Sequence, residues 1–286
     1  MKQHWTNILK FMIPYILVVG VFEYLTSLIL GIDLNTTKKI ALTTINLLVF
    51  RFTNSISTAL IVWIFVKYVD KRTFKSLGFN NEKVLTDNRT GLLLGFVIMF
   101  VGFISLLITD HLFIKNFSFS SVDLFYNLLI FVFVSFSEEL LIRGYILQNF
   151  KASMNENLAL ILSSAIFALM HFANPNLSSI AFINLFLAGV VLGLCYLLTK
   201  NLWLPFALHF SWNFFQGSVF GFNVSGIEKI GIIEIGYQTE TIWNGGGFGF
   251  EGSILCIILQ IAVIFYLRWL LKNRLNNENT KTLDLK

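Results

Sequence analysis

The chain alternates between long apolar stretches and short polar segments. The apolar runs lie at roughly 8–30, 42–69, 91–109, 122–149, 157–173, 179–199, 203–220 and 253–271. About 20 apolar residues cross a bilayer as a helix, whereas the strands of a membrane barrel are about half as long and alternate in polarity. The pattern therefore predicts an all-α polytopic membrane bundle of about eight transmembrane helices. We find no internal repeat and no long linker, so residues 1–286 are expected to form one integral membrane domain.

Composition supports a membrane protein. Hydrophobic residues make up 56% of the chain and charged residues only 13%, and the mean hydropathy is +0.73. A soluble domain carries about 25% charged residues, so a disordered chain, a soluble nucleotide-binding enzyme and a small secreted disulfide scaffold are excluded. The two cysteines, Cys195 and Cys256, lie inside apolar runs and form no metal-binding or disulfide motif.

The placement of lysine and arginine predicts the orientation. With eight spans and a cytoplasmic N-terminus, 14 basic residues fall on the inside and four fall outside, namely Lys38, Lys39, Lys115 and Lys229. This asymmetry follows the positive-inside rule, so both termini are expected to be cytoplasmic and the net charge of +5 does not indicate nucleic-acid binding. Segment 221–252, which carries nine glycines, is expected to be a flexible or re-entrant external loop.

The fourth apolar run contains charged residues, which are costly inside a membrane unless they are paired or line a wet cavity. These residues are Glu138, Glu139 and Arg143. Residues i and i+4 share a helix face, so Glu139 and Arg143 are placed to form an ion pair. Glu138 points about 100° away and has no such cation, which leaves it free to act as a general base.

The fifth and seventh runs add further polar side chains. Phe167 and His171 lie one turn apart on one face, as do His209 and Asn213. Together with Glu138, the two histidines and the asparagine would supply a base, its partner and two hydrogen-bond donors. That is the inventory of a hydrolase in which water is the nucleophile.

Structural roles are the alternative to each of these interpretations. The charged residues of the fourth run could form a buried ion network that only fixes helix packing. Intramembrane histidines and His–Asn pairs also hold helices together by hydrogen bonds. Two further polar residues, Arg51 and Asn184, do not belong to a comparable cluster of polar positions. We interpret Arg51 as a boundary or pore-facing residue and Asn184 as a packing residue.

The three patterns together resemble the signature of the CAAX protease and bacteriocin-processing family, also called CPBP or Abi, which includes the type II CAAX prenyl endopeptidases. The motifs are Glu138-Glu139-x-x-x-Arg143, Phe167-x-x-x-His171 and His209-x-x-x-Asn213. They occur in order on separate predicted spans, within a motif-bearing core at about 122–220. The resemblance implies an intramembrane endopeptidase whose eight helices enclose a conical cavity open to water.

The resemblance also implies roles for individual residues. Glu138 and His171 would activate water, while His209 and Asn213 would stabilise the tetrahedral oxyanion. The residues expected to support the site are Glu139, Arg143 and Phe167.

Zinc dependence is an open alternative. Glu138, His171 and His209 could form the three-ligand set of a catalytic zinc site. The sequence has no His-Glu-x-x-His motif, however, and asparagine is a poor zinc ligand. We therefore expect a glutamate-type hydrolase without a metal or other cofactor.

Two other functions compete with the protease. One is a non-catalytic bacteriocin-immunity or scaffold membrane protein of the same fold. The other is a small proton-relaying transporter, which would have inverted repeats or broken helices in matched halves; the sequence shows neither. The expected partners are the lipid bilayer and a membrane-associated peptide or lipidated protein. A chain rich in Ile, Phe, Asn and Lys is typical of an AT-rich bacterial genome, so we expect a bacterial cell membrane.

Helix boundaries decide whether the carboxylate and the histidine meet. A fourth helix that starts at Val122 places Glu138 about 24 Å along its axis, and a fifth helix that starts at Asn157 places His171 about 21 Å along. These positions separate the two side chains in depth. Starts nearer Leu128 and Ile161 would bring both residues close to mid-membrane, so we give the grouping of the motifs more weight than the exact helix boundaries.

Overall fold

The computed structural model describes residues 4–32, 43–228 and 231–283. The helices are α1 Trp5–Ile29, α2 Thr44–Ile64, α3 Val84–Ile108, α4 Ser121–Glu139, α5 Gln148–Lys151, α6 Glu156–Met170, α7 Ser179–Thr199, α8 Trp203–Asn213 and α9 Ile254–Leu283. A π-helical segment, Leu140–Leu147, joins α4 to α5, and two others, Phe65–Val69 and Phe214–Val219, extend α2 and α8. Within the described ranges the chain thus forms eight helical rods, and the predicted helical membrane bundle is confirmed.

Six of the rods are long and apolar enough to cross a membrane, judged by length and composition over the described residues. They span Trp5–Ile29, Thr44–Val69, Val84–Ile108, Ser121–Lys151, Ser179–Thr199 and Ile254–Arg274. The other two, α6 and α8, are shorter. At 15 residues, α6 is about 22 Å long, less than the roughly 30 Å of a hydrocarbon core. The chain is therefore an integral membrane protein in which two shorter helices complete the bundle.

The predicted orientation depends partly on residues whose structure is not described. Lys38, Lys39 and Lys229, three of the four basic residues assigned to the outside, lie outside the described ranges, as do Lys2 and Lys286. The cytoplasmic location of both termini therefore stays a prediction.

Side-chain caps start several helices. A helix leaves its first N–H groups without intrahelical acceptors, and a Ser, Thr, Asn or Asp at the N-cap accepts one of them. The capping residues of α2, α4, α6 and α7 are Thr43, Ser120, Asn155 and Ser178. These caps fix the beginnings of the helices that carry Glu138 and Phe167.

The fourth and fifth runs begin within one residue of the predicted positions 122 and 157, and the later starts are not observed. The fourth run begins at Ser121 and the fifth at Glu156, not near Leu128 and Ile161. The physical reason is the length of the fourth rod, which continues through its π-helical segment to Lys151 and totals 31 residues.

This long rod brings the two site residues to one level. Glu138 lies 13 residues before its end at Lys151, about 20 Å along the axis. His171 follows α6, which begins at Glu156 after a tight turn, and lies about 22 Å from that beginning. Both distances are measured from the same end of the bundle, so Glu138 and His171 lie at nearly the same depth. Their side chains can therefore approach each other.

Small residues set the spacing between helices. A Cβ added to Gly189 on α7 would lie 2.8 Å from the Cα of Ser164 on α6, and one added to Gly91 on α3 would lie 2.7 Å from the carbonyl oxygen of Leu204 on α8. Asn184 donates to the Ser253 carbonyl oxygen at 2.9 Å, which agrees with its interpretation as a packing residue. Backbones at such contacts approach closely because no side chain separates them.

The described residues of segment 221–252, namely 221–228 and 231–252, fold back onto the bundle. Phe222 and Phe250 are fully buried and Phe248 is nearly so. Part of the segment forms strand β2, Ile233–Gly236, which pairs antiparallel with β1, Phe113–Phe117, in the connection between α3 and α4. The all-α prediction did not include this two-stranded ribbon, because its strands are short and their pairing is non-local.

Candidate active site

A cavity of about 250 Å³ lies inside the bundle. Helices α1, α2, α4, α6, α7 and α8 line it together with described residues of segment 221–252. All four predicted catalytic residues face it, namely Glu138, His171, His209 and Asn213. The fold thus gathers the three sequence motifs around one cavity.

Glu139 is the centre of a buried hydrogen-bond network. Its Oε1 accepts from Nη1 of Arg143 at 2.7 Å and lies 2.8 Å from Nδ1 of His209. Both side chains of the Glu139–Arg143 pair are 1% exposed. The predicted ion pair is present, and it also holds the imidazole of the third motif.

Arg143 and Phe167 link this network to α6 and α7. Nη2 of Arg143 donates to the carbonyl oxygen of Gly189 at 3.0 Å, and the guanidinium lies 4.7 Å from the centre of the Phe167 ring. The same ring lies 4.8 Å from the ring of His171 and 6.1 Å from that of His209. Phe167 therefore packs against both imidazoles as well as the cation.

Glu138 has a different environment from its neighbour in the chain. Its side chain is 22% exposed and faces the cavity. Its Oε2 is buried and accepts no hydrogen bond, although it lies 3.8 Å from Nε2 of His171 and 3.9 Å from Nε2 of His209. The carboxylate oxygen is thus held between two imidazoles without a direct bond to either.

The other nitrogen of each imidazole has a fixed acceptor. Nδ1 of His171 lies 2.8 Å from the carbonyl oxygen of Phe167. A carbonyl oxygen only accepts, so Nδ1 carries the proton and Nε2 of a neutral His171 presents a lone pair to Glu138. Nδ1 of His209 likewise faces the acceptor Glu139, so both rings present Nε2 toward the carboxylate.

Asn213 lies one turn beyond His209 on α8 and is 5% exposed. Its carboxamide faces the cavity and forms no hydrogen bond with any residue in the described part of the chain. The helix changes to π-helical geometry directly after Asn213, as α4 does directly after Glu139. Such π-helical turns are rare and occur often at functional sites; no sequence signal identified them.

The sequence interpretation missed part of the cavity wall. Glu251 faces the cavity and is 7% exposed. Its carboxylate accepts hydrogen bonds from Trp212 Nε1 at 3.1 Å and from the backbone and hydroxyl of Ser225 at 2.8 and 2.9 Å. The sequence signal that could have identified Glu251 is the position of its carboxylate directly before the last apolar run. These bonds fasten the returning segment to α8 next to Asn213.

Arg51 on α2 also lines the cavity, as the pore-facing alternative for this residue predicts. Asn54, one turn further along α2, lines it as well and donates to Oε1 of Glu23 at 3.1 Å. Arg51 has no ion pair or hydrogen bond with any residue in ranges 4–32, 43–228 and 231–283.

The three candidate zinc ligands do not form a metal site in this arrangement. Two tetrahedral ligands, each about 2.1 Å from zinc, lie about 3.4 Å apart, which is shorter than the 3.8 and 3.9 Å from Glu138 to the two imidazoles. Among the described residues, no group of three His, Cys, Asp or Glu side chains is placed to hold a metal ion.

Comparison with known proteins supports the resemblance carried by the motifs. Residues 120–215 match the family model described as Rce1-like, type II CAAX prenyl endopeptidase. The match covers about a third of the chain and includes all three motifs, so the resemblance is confirmed over this segment. No curated protein and no solved structure matches the chain.

Proposed function

We propose that this chain is an intramembrane endopeptidase that hydrolyses a peptide bond with water activated by Glu138 and His171. One observation carries the proposal. The buried Oε2 of Glu138 accepts no hydrogen bond, lies between two imidazole nitrogens and faces a cavity of about 250 Å³. The match of residues 120–215 to the type II CAAX endopeptidase model adds independent support.

The gap between Glu138 and His171 suits a bridging water. Both Oε2 and Nε2 act as acceptors, and they lie 3.8 Å apart. For a water oxygen about 2.8 Å from each atom, the angle between Oε2 of Glu138, the water oxygen and Nε2 of His171 is about 85°. This angle is near the one between the two O–H bonds of a water molecule. Such a water donates both hydrogens to the protein and presents a lone pair to the carbonyl carbon of a substrate.

His209 and Asn213 are the proposed donors to the oxyanion. His209 lies between two carboxylates, at 2.8 Å from Glu139 and 3.9 Å from Glu138. As an imidazolium it donates Nδ1–H to Glu139 and presents Nε2–H to the cavity. Arg143 and this imidazolium then balance the carboxylates of Glu138 and Glu139, so this cluster of four side chains carries no net charge. The free carboxamide of Asn213 supplies the second donor.

The proposed reaction conserves protons. Glu138 takes one proton from the attacking water as the new C–O bond forms, and negative charge develops on the former carbonyl oxygen. The donors hold that oxyanion until the C–N bond breaks. Glu138 then returns the proton to the departing amine. No step requires a metal or another cofactor.

The proposed substrate is a membrane-associated peptide or a lipidated protein, and the proposed location is a bacterial cell membrane with both termini in the cytoplasm. The inward-facing motifs and the apolar exterior of the rods support an active site reached from within the bilayer or along its surface. Bacteriocin precursors belong to this substrate class, so bacteriocin processing is one role that the proposal includes.

The test is cleavage by the purified full-length chain in lipid vesicles, with a library of quenched fluorescent apolar peptides. We expect turnover by the wild type and a loss of at least about a thousandfold in Glu138→Gln, because the amide cannot accept a proton. The matched control is Glu156→Gln. The side chain of Glu156 is 42% exposed and pairs with Lys151, and such a partly exposed ion pair contributes little to stability.

Two outcomes would contradict the proposal. If Glu138→Gln keeps full turnover, the carboxylate is not the base. If the folded wild type cleaves no peptide in the library while the Glu138→Gln chain still complements the native phenotype in cells, the non-catalytic scaffold or immunity function is favoured instead.

A further inference from the structure

A group of polar side chains lies between α1 and α2 beside the cavity, and the proposed chemistry leaves it unused. We call it the α1–α2 seam and define it by Tyr15, Glu23, Asn54 and Thr58. Tyr15 and Asn54 line the cavity, and Asn54 donates to Oε1 of Glu23 at 3.1 Å. Both helices belong to rods long and apolar enough to span a membrane, where polar groups are costly unless they are paired or line a wet path.

One hydroxyl in the seam does not hold the helices together. Thr58 is fully buried, and its Oγ1 has no hydrogen-bond partner of good geometry among the described residues, although the Tyr15 side chain lies beside it. Polar residues between membrane helices usually bond across the contact, as Asn54 does with Glu23. A buried polar atom without a protein partner is typically satisfied by water. Oε2 of Glu138 is a second atom of this kind.

The seam leads to Glu138. The hydroxyl of Ser55 donates to the carbonyl oxygen of Phe133 at 2.7 Å, which sets the level of α2 against α4. The two helices run in the same direction because α3 reverses the chain between them. Glu138 lies five residues beyond Phe133. Thr58 lies three residues beyond Ser55, so its level differs from that of Glu138 by about 3 Å along the axes. By the same measure, Asn54 lies about 9 Å from Glu138.

Tyr15 connects the seam to the base. Its side chain interacts electrostatically with the carboxylates of both Glu138 and Glu23, so it is near both. The Tyr15 ring stacks on that of Phe11 with 5.4 Å between the ring centres, and Phe11 is completely buried. A fixed ring therefore holds the phenol hydroxyl at the cavity wall, close to the carboxylate that is proposed to activate water.

We infer that the α1–α2 seam conducts water to Glu138. Each hydrolysis consumes a water molecule, and an apolar peptide in the cavity displaces water from the walls that it contacts. A separate polar path is therefore needed while the substrate is bound. The carboxamide of Asn54 and the hydroxyls of Thr58 and Tyr15, spread over about 9 Å, can hold a file of about three waters at hydrogen-bond distance. This inference rests on the proposed function and assigns to the seam the supply of its nucleophile.

Radiolytic footprinting detects such water without a substrate. Ionising radiation produces hydroxyl radicals from water in place, and these radicals modify neighbouring aromatic rings, which mass spectrometry quantifies. The full-length chain is irradiated in phosphatidylcholine vesicles. We expect Tyr15, which is partly buried, to be modified several times faster than Phe100, which is 44% exposed on the apolar exterior of α3. Modification of Tyr15 no faster than that of Phe100 overturns the inference.

The main variant is Thr58→Val, which keeps the shape of the side chain and removes only its hydroxyl. Since that hydroxyl has no protein partner of good geometry, we expect an unchanged unfolding temperature and a several-fold slower modification of Tyr15. We also expect kcat to fall by about three- to tenfold at unchanged KM. Thr58→Ser restores a hydroxyl and should recover both. Thr90→Val is the matched control, since Thr90 is exposed on α3 and its hydroxyl donates within that helix.

Asn54→Leu is a second variant that blocks the seam one turn from Thr58. We expect the same two effects as in Thr58→Val. Asn116→Leu, on the exposed part of β1, is its control and should behave as the wild type. Because Asn54 and Thr58 are changed in different ways, a folding defect in one variant does not remove the test.

The footprint and the kinetics separate this inference from the proposed function. If the chain cleaves no peptide, slower modification of Tyr15 in both variants still supports the water path, while the protease itself is contradicted. If the chain cleaves peptides and both variants keep the wild-type modification of Tyr15, the inference is overturned and the proposed function stands. A slower modification at unchanged kcat also overturns it, because the water in the seam is then not the nucleophile.

Discussion

Glu138 and Glu139 are neighbours in the chain, yet their carboxylates have opposite environments. Glu139 is 1% exposed and binds both Arg143 and His209. Glu138 is 22% exposed and faces the cavity, and neither of its oxygens accepts a hydrogen bond from a described residue, whereas Glu139 leaves only Oε2 without one. A rotation of about 100° per residue thus places one carboxylate in the framework of the site and the other at its open face.

This difference predicts that substitution of Glu139 mainly lowers stability, whereas substitution of Glu138 mainly lowers activity. Glu139→Gln leaves Arg143 as a buried cation without its counter-charge, so we expect the free energy of unfolding to fall by about 3–5 kcal/mol. Glu138→Gln removes a partly exposed carboxylate that accepts no hydrogen bond from a described residue, so we expect a smaller loss of stability than in Glu139→Gln, together with lost turnover. Thermal unfolding of both variants in the same detergent measures the contrast, and equal unfolding temperatures would contradict it.

The local part of the site follows from helical periodicity. The spacing of Glu139 and Arg143 by four residues predicts their ion pair because both lie on one helix face. The fold class follows in the same way from the lengths of the apolar runs. The roles of Glu138, His171, His209 and Asn213 stay predictions that the experiments above address.

The non-local part could not be derived from the sequence. The level at which Glu138 meets His171 depends on the 31-residue length of the fourth rod, and local hydropathy places its ends only within several residues. The hydrogen bonds that Glu251 accepts from Ser225 and Trp212 depend on how segment 221–252 returns to the bundle. No periodicity within that glycine-rich segment encodes its contacts with other helices.

Asn213 provides a test of the oxyanion donors. Loss of one donor to an oxyanion typically lowers kcat by about 10²–10³. We therefore expect such a loss in Asn213→Ala with little change in KM, since the bond strengthens only as charge develops. Steady-state kinetics measure both constants. Asn116→Ala, an exposed residue on β1, is the control, and a rise in KM at constant kcat would instead make Asn213 a substrate-binding residue.

Gly189 couples helix packing to the site. A Cβ at this position would lie 2.8 Å from the backbone of Ser164, and the Gly189 carbonyl oxygen accepts from Arg143. We expect Gly189→Ala to separate α6 from α7 and to lower the free energy of unfolding by about 1–3 kcal/mol. Turnover should also fall, because α6 carries Phe167 and His171.

Gly20→Ala is the matched control for that substitution. Gly20 lies on α1 with nothing within 4 Å of an added Cβ, so alanine there should leave stability unchanged or raise it by about 0.5–1 kcal/mol through its better helix propensity. Thermal unfolding and turnover of both variants give the comparison. If Gly189→Ala and Gly20→Ala have the same unfolding temperature and the same turnover, the close helix contact at Gly189 is contradicted.

Metal removal tests the mechanism directly. The distances from Glu138 to the two imidazoles exceed those between tetrahedral zinc ligands, so we expect turnover to survive dialysis against a strong chelator. The assay uses the full chain in vesicles, with its metal content measured before and after dialysis and a zinc protease treated in parallel as control. Turnover that is lost with the metal and restored by zinc, but not by magnesium, would show that the site closes around a metal and that the hydrolytic water is bound to it.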